Sequence, residues 1–392
     1  MNRTTPATRP DHHEGRPSMG KNRRPLSLVA VAGAALALAV GGIQPASADP
    51  DNGNPGTPPA GKNANQIYAT VGADAFAELT NNIAVNYNGE TPAPTRVIAS
   101  YDAINPVTAV AGENITTKPG CTIARPNGAN AGITALTLNQ KSTVDTNEYC
   151  IDFVRSSRAK GAAAAEQNLT FYAQSRDAVS YAVIGNAYAP TTPLSTTQLK
   201  DIFECTTRDW SQVGGQAGAI HLYLPPSTAA TYTFFLQAIG SSLTNVQAGC
   251  AGLPTVFVGQ QNDGQSINGD PQGILPYAVT KWAAQSNGAP GILDLRGGAH
   301  IGTANTATSP FTTATVGGAD YQVLNPAFTT GASASFGRFF FNAVRNDAPQ
   351  ELKDIFAAGG YLCDNADEFL IPFGNTPLGD DTSQTQYCGK PN

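Results

Sequence analysis

The stretch that decides the fold is Leu194-Ser-Thr-Thr-Gln-Leu-Lys-Asp-Ile-Phe203, followed by Asp209-Trp-Ser-Gln-Val-Gly214. Ser195 and Gln198 have the spacing of a capping box, in which each side chain satisfies a backbone N–H at the start of a helix. Apolar residues then recur on one helical face, at Leu199, Ile202 and Phe203. The sequence therefore predicts an amphipathic helix that packs against another element.

Short apolar strands alternate with such helices on both sides of this stretch. The predicted strands cover residues 67–71, 96–100, 151–154, 178–184 and 220–224. Further helices are predicted after Asp74, around Ile133, and over residues 232–239 and 349–358. This alternation is typical of an α/β protein with helices packed on a sheet. We expect residues 298–331, which are rich in Gly, Thr and Ala, to form long loops.

The amino-terminal segment has the composition of an export signal. Residues 21–25 are basic, residues 26–42 are apolar, and Ala46-Ser-Ala48 has the small residues of a cleavage site. This layout predicts a secretory signal peptide over residues 1–48, cleaved after Ala48, so that the protein is secreted or extracytoplasmic. The pair Arg23-Arg24 leaves open whether export uses the Sec or the twin-arginine route. Residues 49–64 are rich in Pro, Gly and Asn and predict a flexible leader.

The net charge argues against several classes of partner. Without residues 1–48, the chain has 17 Lys and Arg against 27 Asp and Glu, a net charge of −10. A surface of this sign is unsuited to nucleic acid or to an anionic membrane. We expect a monomer that binds a small solute.

All six cysteines lie in the predicted mature chain, and an even number in an exported protein indicates disulfides. We expect neighbours in sequence to pair: Cys121 with Cys150, Cys205 with Cys250, and Cys363 with Cys388. No two cysteines have the spacing of a zinc site, and no histidine lies near any of them. We therefore expect neither a metal nor a cofactor.

Three turns have the residues of an anion-binding site, at positions 125–133, 152–158 and 225–231. Small residues at the start of a helix let a ligand approach unpaired backbone N–H groups. The candidate donors of these N–H groups are Gly128, Ala129 and Asn130 in the first turn, and Ala229, Ala230 and Thr231 in the third. Four of the nine arginines outside the signal lie close together in sequence and could bind an oxyanion: Arg125, Arg155, Arg158 and Arg176. Alternatively, these arginines form structural ion pairs with Asp152, Asp177 and Glu148.

From about residue 65 onward, the chain resembles the phosphate-binding proteins of bacterial phosphate ABC transporters, in their actinobacterial branch. The most specific match is the stretch from Leu194 to Gly214. Other matching segments follow in the expected order: Tyr101-Asp-Ala103, the 125–133 turn, Cys150 to Arg158, Arg176 to Tyr181, Gln261-Asn-Asp-Gly264 and Ile274-Leu-Pro-Tyr277.

The resemblance implies a two-lobed periplasmic-binding-protein (type II) fold with two hinge crossings. Lobe I would comprise residues 65–176 and 277–392, and lobe II residues 177–276, with the hinge crossings near residues 177–180 and 276–278. It also implies a small oxyanion ligand, phosphate or similar, an ABC permease as partner, and Asp152 as the acceptor of a proton from monohydrogen phosphate. Two serines of the family's anion turns are replaced in this chain by Ala129 and Ala229.

Two other functions compete with solute binding. A secreted interaction protein could keep the fold and lose the pocket, with Tyr232 filling the cleft. A hydrolase would need a positioned base, and His221 and His300 are the histidines outside the signal. No Gly-x-Ser-x-Gly motif is present, so we expect no enzyme. Asp102 lies either beside the cleft or at a turn that it caps.

Overall fold

The predicted capping box forms. Ser195 Oγ accepts a hydrogen bond from Gln198 N–H (3.1 Å), and Gln198 Oε1 accepts one from Ser195 N–H (2.8 Å). The computed structural model describes residues 49–50, 56–108, 110–185, 188–227 and 229–392. The predicted signal peptide and its cleavage site lie outside these residues.

The described residues form mixed α/β structure with a central sheet. The strands are β1 (Ile67–Gly72), β2 (Val97–Ser100), β3 (Asn114–Lys118), β4 (Cys121–Ala124), β5 (Phe153–Ser156), β6 (Leu169–Ile184), β7 (His221–Leu224), β8 (Val256–Val258), β9 (Gly273–Ala278), β10 (Ala299–Ile301), β11 (Phe311–Val316), β12 (Ala319–Leu324), β13 (Gly337–Arg345) and β14 (Thr376–Pro377). The helices are α1 (Ala77–Asn88), α2 (Ala129–Thr137), α3 (Thr196–Phe203), α4 (Ala230–Ala238), α5 (Leu243–Cys250), α6 (Val279–Asn287), α7 (Gln350–Phe356), α8 (Tyr361–Asp364) and α9 (Ala366–Leu370).

The long strand β6 joins the two halves of the sheet, whose order is β2-β1-β5-β13-β6-β9-β7-β8. Its first part pairs with β13 as far as Ala178, and its next residues, from Val179 to Ala182, pair with β9. The partner therefore changes within the predicted hinge at residues 177–180. On either side of this point, β1, β2 and β5 run parallel in one half and β7, β8 and β9 run parallel in the other. This is the two-lobed fold that the sequence predicts.

Each half has its own apolar core. In the first, Phe76 and Leu79 pack with residues near the carboxyl terminus such as Leu352 and Phe369. In the second, Leu199, Ile202 and Phe203 of α3 are buried together with Trp210. The apolar face predicted for this helix is thus the face that it buries.

The segment predicted as loops contains strands instead. Residues 299–301, 311–316 and 319–324 are β10, β11 and β12, and the last two form a hairpin. Gly317 and Gly318 make its turn with φ of +59° and +80°, values that glycine adopts without strain. The middle of β11 is Thr-Thr-Ala-Thr, and β12 begins with Ala-Asp, so the hairpin has less apolar character than an ordinary strand, which is why the prediction failed.

Parts of the same segment pack against the second half of the sheet. β10 pairs with residues 182–184 of β6, and Asn305 Oδ1 accepts a hydrogen bond from Thr196 N–H at the start of α3 (2.7 Å). Phe336 lies in the same core as Phe235. We therefore propose to assign residues 299–305 and 331–336 to lobe II, and to keep the other predicted lobe boundaries.

The described part of the predicted leader is held against the first half of the sheet. Gly56 C=O accepts a hydrogen bond from Thr116 N–H (2.6 Å), and Thr57 C=O accepts one from Tyr101 Oη (3.2 Å). Asp49 is only 1% exposed because its carboxylate binds Arg125. These contacts hold the described part of the leader in place, although its Pro- and Gly-rich composition predicts flexibility.

The three predicted disulfides are confirmed: Cys121–Cys150, Cys205–Cys250 and Cys363–Cys388. Each closes a loop within one region of the chain. Among the residues that the structure describes, no helix has the length and apolar character needed to cross a membrane.

Candidate functional site

A cleft of about 590 Å³ lies between the two halves of the sheet. One wall follows β1 and β2 and includes Asp74 and Asp102. The opposite wall follows β7 and β8 and includes Ala229 and residues 260–263. The carboxyl ends of parallel strands from both halves therefore meet here, as in other α/β sheets that bind ligands at this edge.

The charged groups on these walls are mostly acidic. Asp74, Glu78, Asp102 and Asp263 line the cleft, together with one described basic side chain, Lys281. Lys281 Nζ lies 2.5 Å from Glu78 Oε2 and joins α6 to α1 within lobe I. Asp74 Oδ2 instead accepts from the amide of Gln261 (3.3 Å), and Asp102 Oδ1 accepts from the amide of Asn81 (2.9 Å).

Arg155 lies beneath this wall and is fully buried. Its guanidinium donates to Ser100 Oγ (2.8 Å), to Tyr101 C=O (2.7 Å) and, more weakly, to Ala73 C=O (3.4 Å). All three acceptors are neutral oxygens, so Arg155 orders the ends of β1 and β2 without pairing directly with a carboxylate. Burial lowers its pKa, although the nearby carboxylates, Asp102 first, oppose the shift.

The carboxylates in the cleft have perturbed pKa values. Burial, reinforced by the charge of Glu78, raises the pKa of Asp102 to about 7. Burial also raises the pKa of Asp74, with Lys281 opposing the shift. The pKa of Lys281 is raised, because Glu78 and Asp74 outweigh the effect of burial. The neighbouring carboxylates thus stabilise the charged form of Lys281.

The other predicted arginines have partners outside the cleft. Arg125 is 2% exposed, binds Asp49 (2.8 Å) and Glu113 (2.9 Å), and donates to Asp102 C=O. Arg158 binds Glu166 (2.8 Å). Arg176 lies over the ring of Phe339 on the neighbouring strand β13. Arg125 and Arg158 therefore form structural ion pairs, which was the predicted alternative. Their partners are not the expected Asp152, Asp177 and Glu148.

Asp152 lies at the amino end of β5, whereas the cleft lies at the carboxyl ends of the strands. Its carboxylate accepts from Ala69 N–H (2.7 Å) and pairs with the buried Lys118 (2.8 Å). Burial raises the pKa of Asp152, and Lys118 opposes the shift. The structure therefore places Asp152 in a buried ion pair at the opposite end of the strands from the cleft.

Two of the three predicted anion turns, the first and the third, begin helices, whereas the second lies at strand β5. Gly128 precedes α2 with φ of +97°, and Ala129 is the first residue of that helix. Asn130 does not face a free site, because its Oδ1 accepts from Arg158 Nε (2.7 Å). In the third turn, Ala229 precedes α4, Ala230 begins it and Thr231 is buried. Of the predicted ligands, Ala229 is the one among the described residues of the cleft wall.

Asp74, Glu78, Lys281 and Gln260 are cleft residues that the sequence-based prediction missed. Glu78 and Lys281 are 203 positions apart, so no local pattern could pair them. Two signals were present: Asp74 follows a predicted strand, and Gln261-Asn-Asp-Gly264 is one of the matching segments. Asp102 lies beside the cleft, which was one of its two predicted positions.

Neither histidine lies on the described cleft wall. His221 Nδ1 lies 2.7 Å from Asp270 Oδ2, and His300 is exposed on β10. Tyr232 is buried in the core of the second half and does not fill the cleft. Within the described ranges, no cluster of His, Cys, Asp and Glu is arranged to hold a metal ion.

The fold is similar to that of solved phosphate-binding receptors. An ABC-type phosphate transport receptor from Vibrio cholerae superposes with a TM-score of 0.50 at 16% identity, covering 79% of this chain and 98% of that one. A candidate phosphate ABC transporter substrate-binding protein from Clostridium perfringens, solved with bound phosphate, gives 0.51 at 12% identity, covering 80% and 100%. No protein-family model and no curated protein matches the sequence. At this identity the likeness defines the fold alone, which is the two-lobed periplasmic-binding-protein fold.

Proposed function

We propose that this protein is an extracytoplasmic solute-binding protein that captures a small polar solute between its lobes. The observation that supports this most directly is the cleft of about 590 Å³, with polar groups from both halves of the sheet on its walls. Its size lies within the usual range of small-molecule sites, about 300–1,000 Å³. The solved structures with a similar fold are binding proteins, so we propose a binding protein rather than an enzyme.

An ABC permease is the partner that we propose. In two-lobed binding proteins, closure around a solute brings the lobes together and creates a surface that the open form lacks. We propose the hinge between the lobes at the point where β6 changes its pairing partner, between Ala178 and Val179. The three disulfides and the predicted signal support an extracytoplasmic location for this step.

A small oxyanion such as phosphate stays a prediction from the resemblance, as does the actinobacterial branch. The interaction-protein alternative is not favoured by any contact, because the cleft is present and Tyr232 lies in the core.

Solute binding is tested with protein secreted into the medium. Native mass spectrometry reports any solute that co-purifies, and calorimetric titration with phosphate, sulfate, glucose, L-arginine and L-lysine reports binding. We expect one of these measurements to show a single bound solute. If no probe gives heat and nothing co-purifies, the proposal is wrong.

A pair of neighbouring variants locates the binding. Pro226 is exposed and lines the cleft, so Pro226→Trp should obstruct the solute. The adjacent Ser227 is also exposed but lines a different cavity, so Ser227→Trp is the matched control. Equal effects of the two substitutions would place the binding outside the cleft.

A further inference from the structure

Beside the amino end of β5, away from the cleft, a lysine is buried against two carboxylates. Lys118, the last residue of β3, is fully buried. Its Nζ lies 2.8 Å from Asp152 Oδ2 and 3.4 Å from Glu148 Oε2. Asp152 is itself only 5% exposed. The Lys118 amine and the Asp152 carboxyl group are therefore in direct contact where water has little access.

The two segments that carry Lys118 and Asp152 are fastened to each other next to this contact. The disulfide Cys121–Cys150 joins them three residues after Lys118 and two residues before Asp152. Thr117 Oγ1 also donates a hydrogen bond to Cys150 C=O (2.7 Å). Groups held in such a fixed geometry react with effective molarities that reach about 10⁵–10⁸ M, so the arrangement favours a reaction between the two side chains.

The surroundings of these side chains suit the condensation of an amine with a carboxylic acid. Burial raises the pKa of Asp152, which favours its neutral and more electrophilic form, although Lys118 opposes the shift. Ala69 N–H donates to Asp152 Oδ2 (2.7 Å) and can stabilise negative charge that develops on this oxygen during attack at Cγ. Two hydrogen bonds from Arg96 (2.8 and 3.1 Å) fix Glu148, which therefore presents a positioned proton acceptor to Nζ.

We propose that Lys118 Nζ and Asp152 Cγ form an intramolecular amide bond, an isopeptide cross-link, with Glu148 as the group that carries protons. One proton passes from Nζ to Asp152, which converts the ion pair into an amine and a carboxylic acid. The lone pair of Nζ then forms the bond to Cγ, and Glu148 takes a second proton from Nζ. The bond from Cγ to the hydroxyl oxygen breaks, and Glu148 returns its proton to that oxygen, which leaves as water. The pair has no net charge before or after the reaction, so no other reactant is needed.

A second buried lysine provides a comparison within the same chain. Lys281 Nζ lies 2.5 Å from Glu78 Oε2, but the side chain of Glu78 is 23% exposed. None of the three disulfides joins the segments that carry Lys281 and Glu78. We therefore expect Lys281 to keep a free amine. Neither expectation depends on which solute the cleft binds.

Peptide mapping of the full secreted protein by mass spectrometry tests the cross-link. Trypsin does not cleave before proline, so Lys118 and Asp152 fall in the peptides 97–141 and 142–155, which the Cys121–Cys150 disulfide also joins. After reduction and alkylation, we expect the two peptides to stay joined, with a mass below their sum by one water, about 18 Da. Fragmentation should place the link between Lys118 and Asp152, and cleavage after Lys281 in the same digest shows that digestion is complete. If the reduced peptides separate completely, the proposal is wrong.

Three variants assign the roles of the two carboxylates. Asp152→Asn replaces the leaving water by ammonia, so the link should form with a loss of about 17 Da and give the same cross-linked product. Glu148→Gln cannot carry the protons and should lower the cross-linked fraction at least about tenfold. Glu166→Gln breaks a similar pair of hydrogen bonds, with Arg158, and is the matched control that should change nothing. A cross-link of unchanged yield in Glu148→Gln would overturn the role of Glu148, and a link at any residue other than Asp152 would overturn the assignment of the bond.

Discussion

Two clusters of charge lie near each other in lobe I and differ in how their charges are matched. In the first, which we call the Arg125 cluster, one buried arginine binds Asp49 and Glu113. The second, which we call the carboxylate group, comprises Asp74, Glu78 and Asp102 on the cleft wall, and two of these three acids have neutral hydrogen-bond partners. A buried cation with its own carboxylates stabilises the fold, whereas unmatched charges at a cavity are available to a ligand.

The largest expected effect on stability comes from removing Arg125, the cation of the Arg125 cluster. Arg125→Ala would leave the buried Asp49 without its partner, so we expect the free energy of unfolding to fall by about 3–5 kcal/mol. Urea denaturation followed by circular dichroism measures this. A loss below about 1 kcal/mol, the size typical of an exposed pair, would show that the Arg125 cluster is not structural.

Arg155→Ala should have the next largest effect. Arg155 is fully buried and donates to Ser100 and Tyr101, so its removal leaves a cavity and unsatisfied acceptors. We expect a loss of about 3 kcal/mol in stability, since buried large-to-small substitutions cost about 2–5 kcal/mol. Unchanged stability combined with lost phosphate binding would instead support the arginine as an anion ligand.

The carboxylate group predicts a pH effect on ligand binding. Because the pKa of Asp102 is raised to about 7, its carboxylate becomes ionised between about pH 6 and 8. The charged groups that act on it are Glu78 and Asp49, which raise its pKa, and Arg155, which lowers it; Arg125 and Lys281 lie nearby. We expect the affinity for a solute that binds the ionised carboxylate to be about tenfold weaker at pH 6 than at pH 8, as measured by calorimetry.

The same shift has an opposite effect on the ligand-free protein. The native state holds the Asp102 proton more tightly than the unfolded state does, so the contribution of this group to stability is lost as pH rises toward about 7. Asp102→Asn should remove both pH dependences. A wild-type affinity that does not change over this range would contradict the assignment of Asp102 to the site.

The smallest effect is expected at the partly exposed pair of Arg158 and Glu166. The side chain of Arg158 is 33% exposed, so solvent screens the interaction. Arg158→Ala should lower the free energy of unfolding by at most about 1 kcal/mol and leave solute binding unchanged. Loss of binding in this variant would return Arg158 to the ligand site that the sequence predicts.

The sequence predicted elements whose signals are local. The helix Thr196–Phe203 has its capping box and its apolar face within ten residues, and both are confirmed. Only the second part of β6 was predicted, because its first part buries polar residues such as Gln174 and Ser175, which bind Asn342 and Asn375. Burial of this kind depends on partners far along the chain.

The candidate site was harder to predict for the same reason. The arginines between residues 125 and 176 are neighbours in sequence, but their partners include Asp49, 76 positions before Arg125. The cleft combines Glu78 with Lys281, which the fold brings together. Residue type alone indicated where charge was concentrated; it did not show which charges had partners.

The burial of Asp49 gives the predicted position of signal cleavage a structural consequence. Its carboxylate accepts from Arg125 and from the N–H of Asp102 (2.9 Å). Asp102 itself lies on the cleft wall. If export removes residues 1–48 as predicted, Asp49 becomes the first residue and gains a free ammonium group next to a cavity shared with Glu78. Precursor and secreted protein would then differ by one positive charge beside the cleft, and trimming of a single residue would leave Arg125 without its buried partner. The predicted amino terminus at Asp49 would therefore affect the charge beside the cleft as directly as a side chain on the cleft wall does.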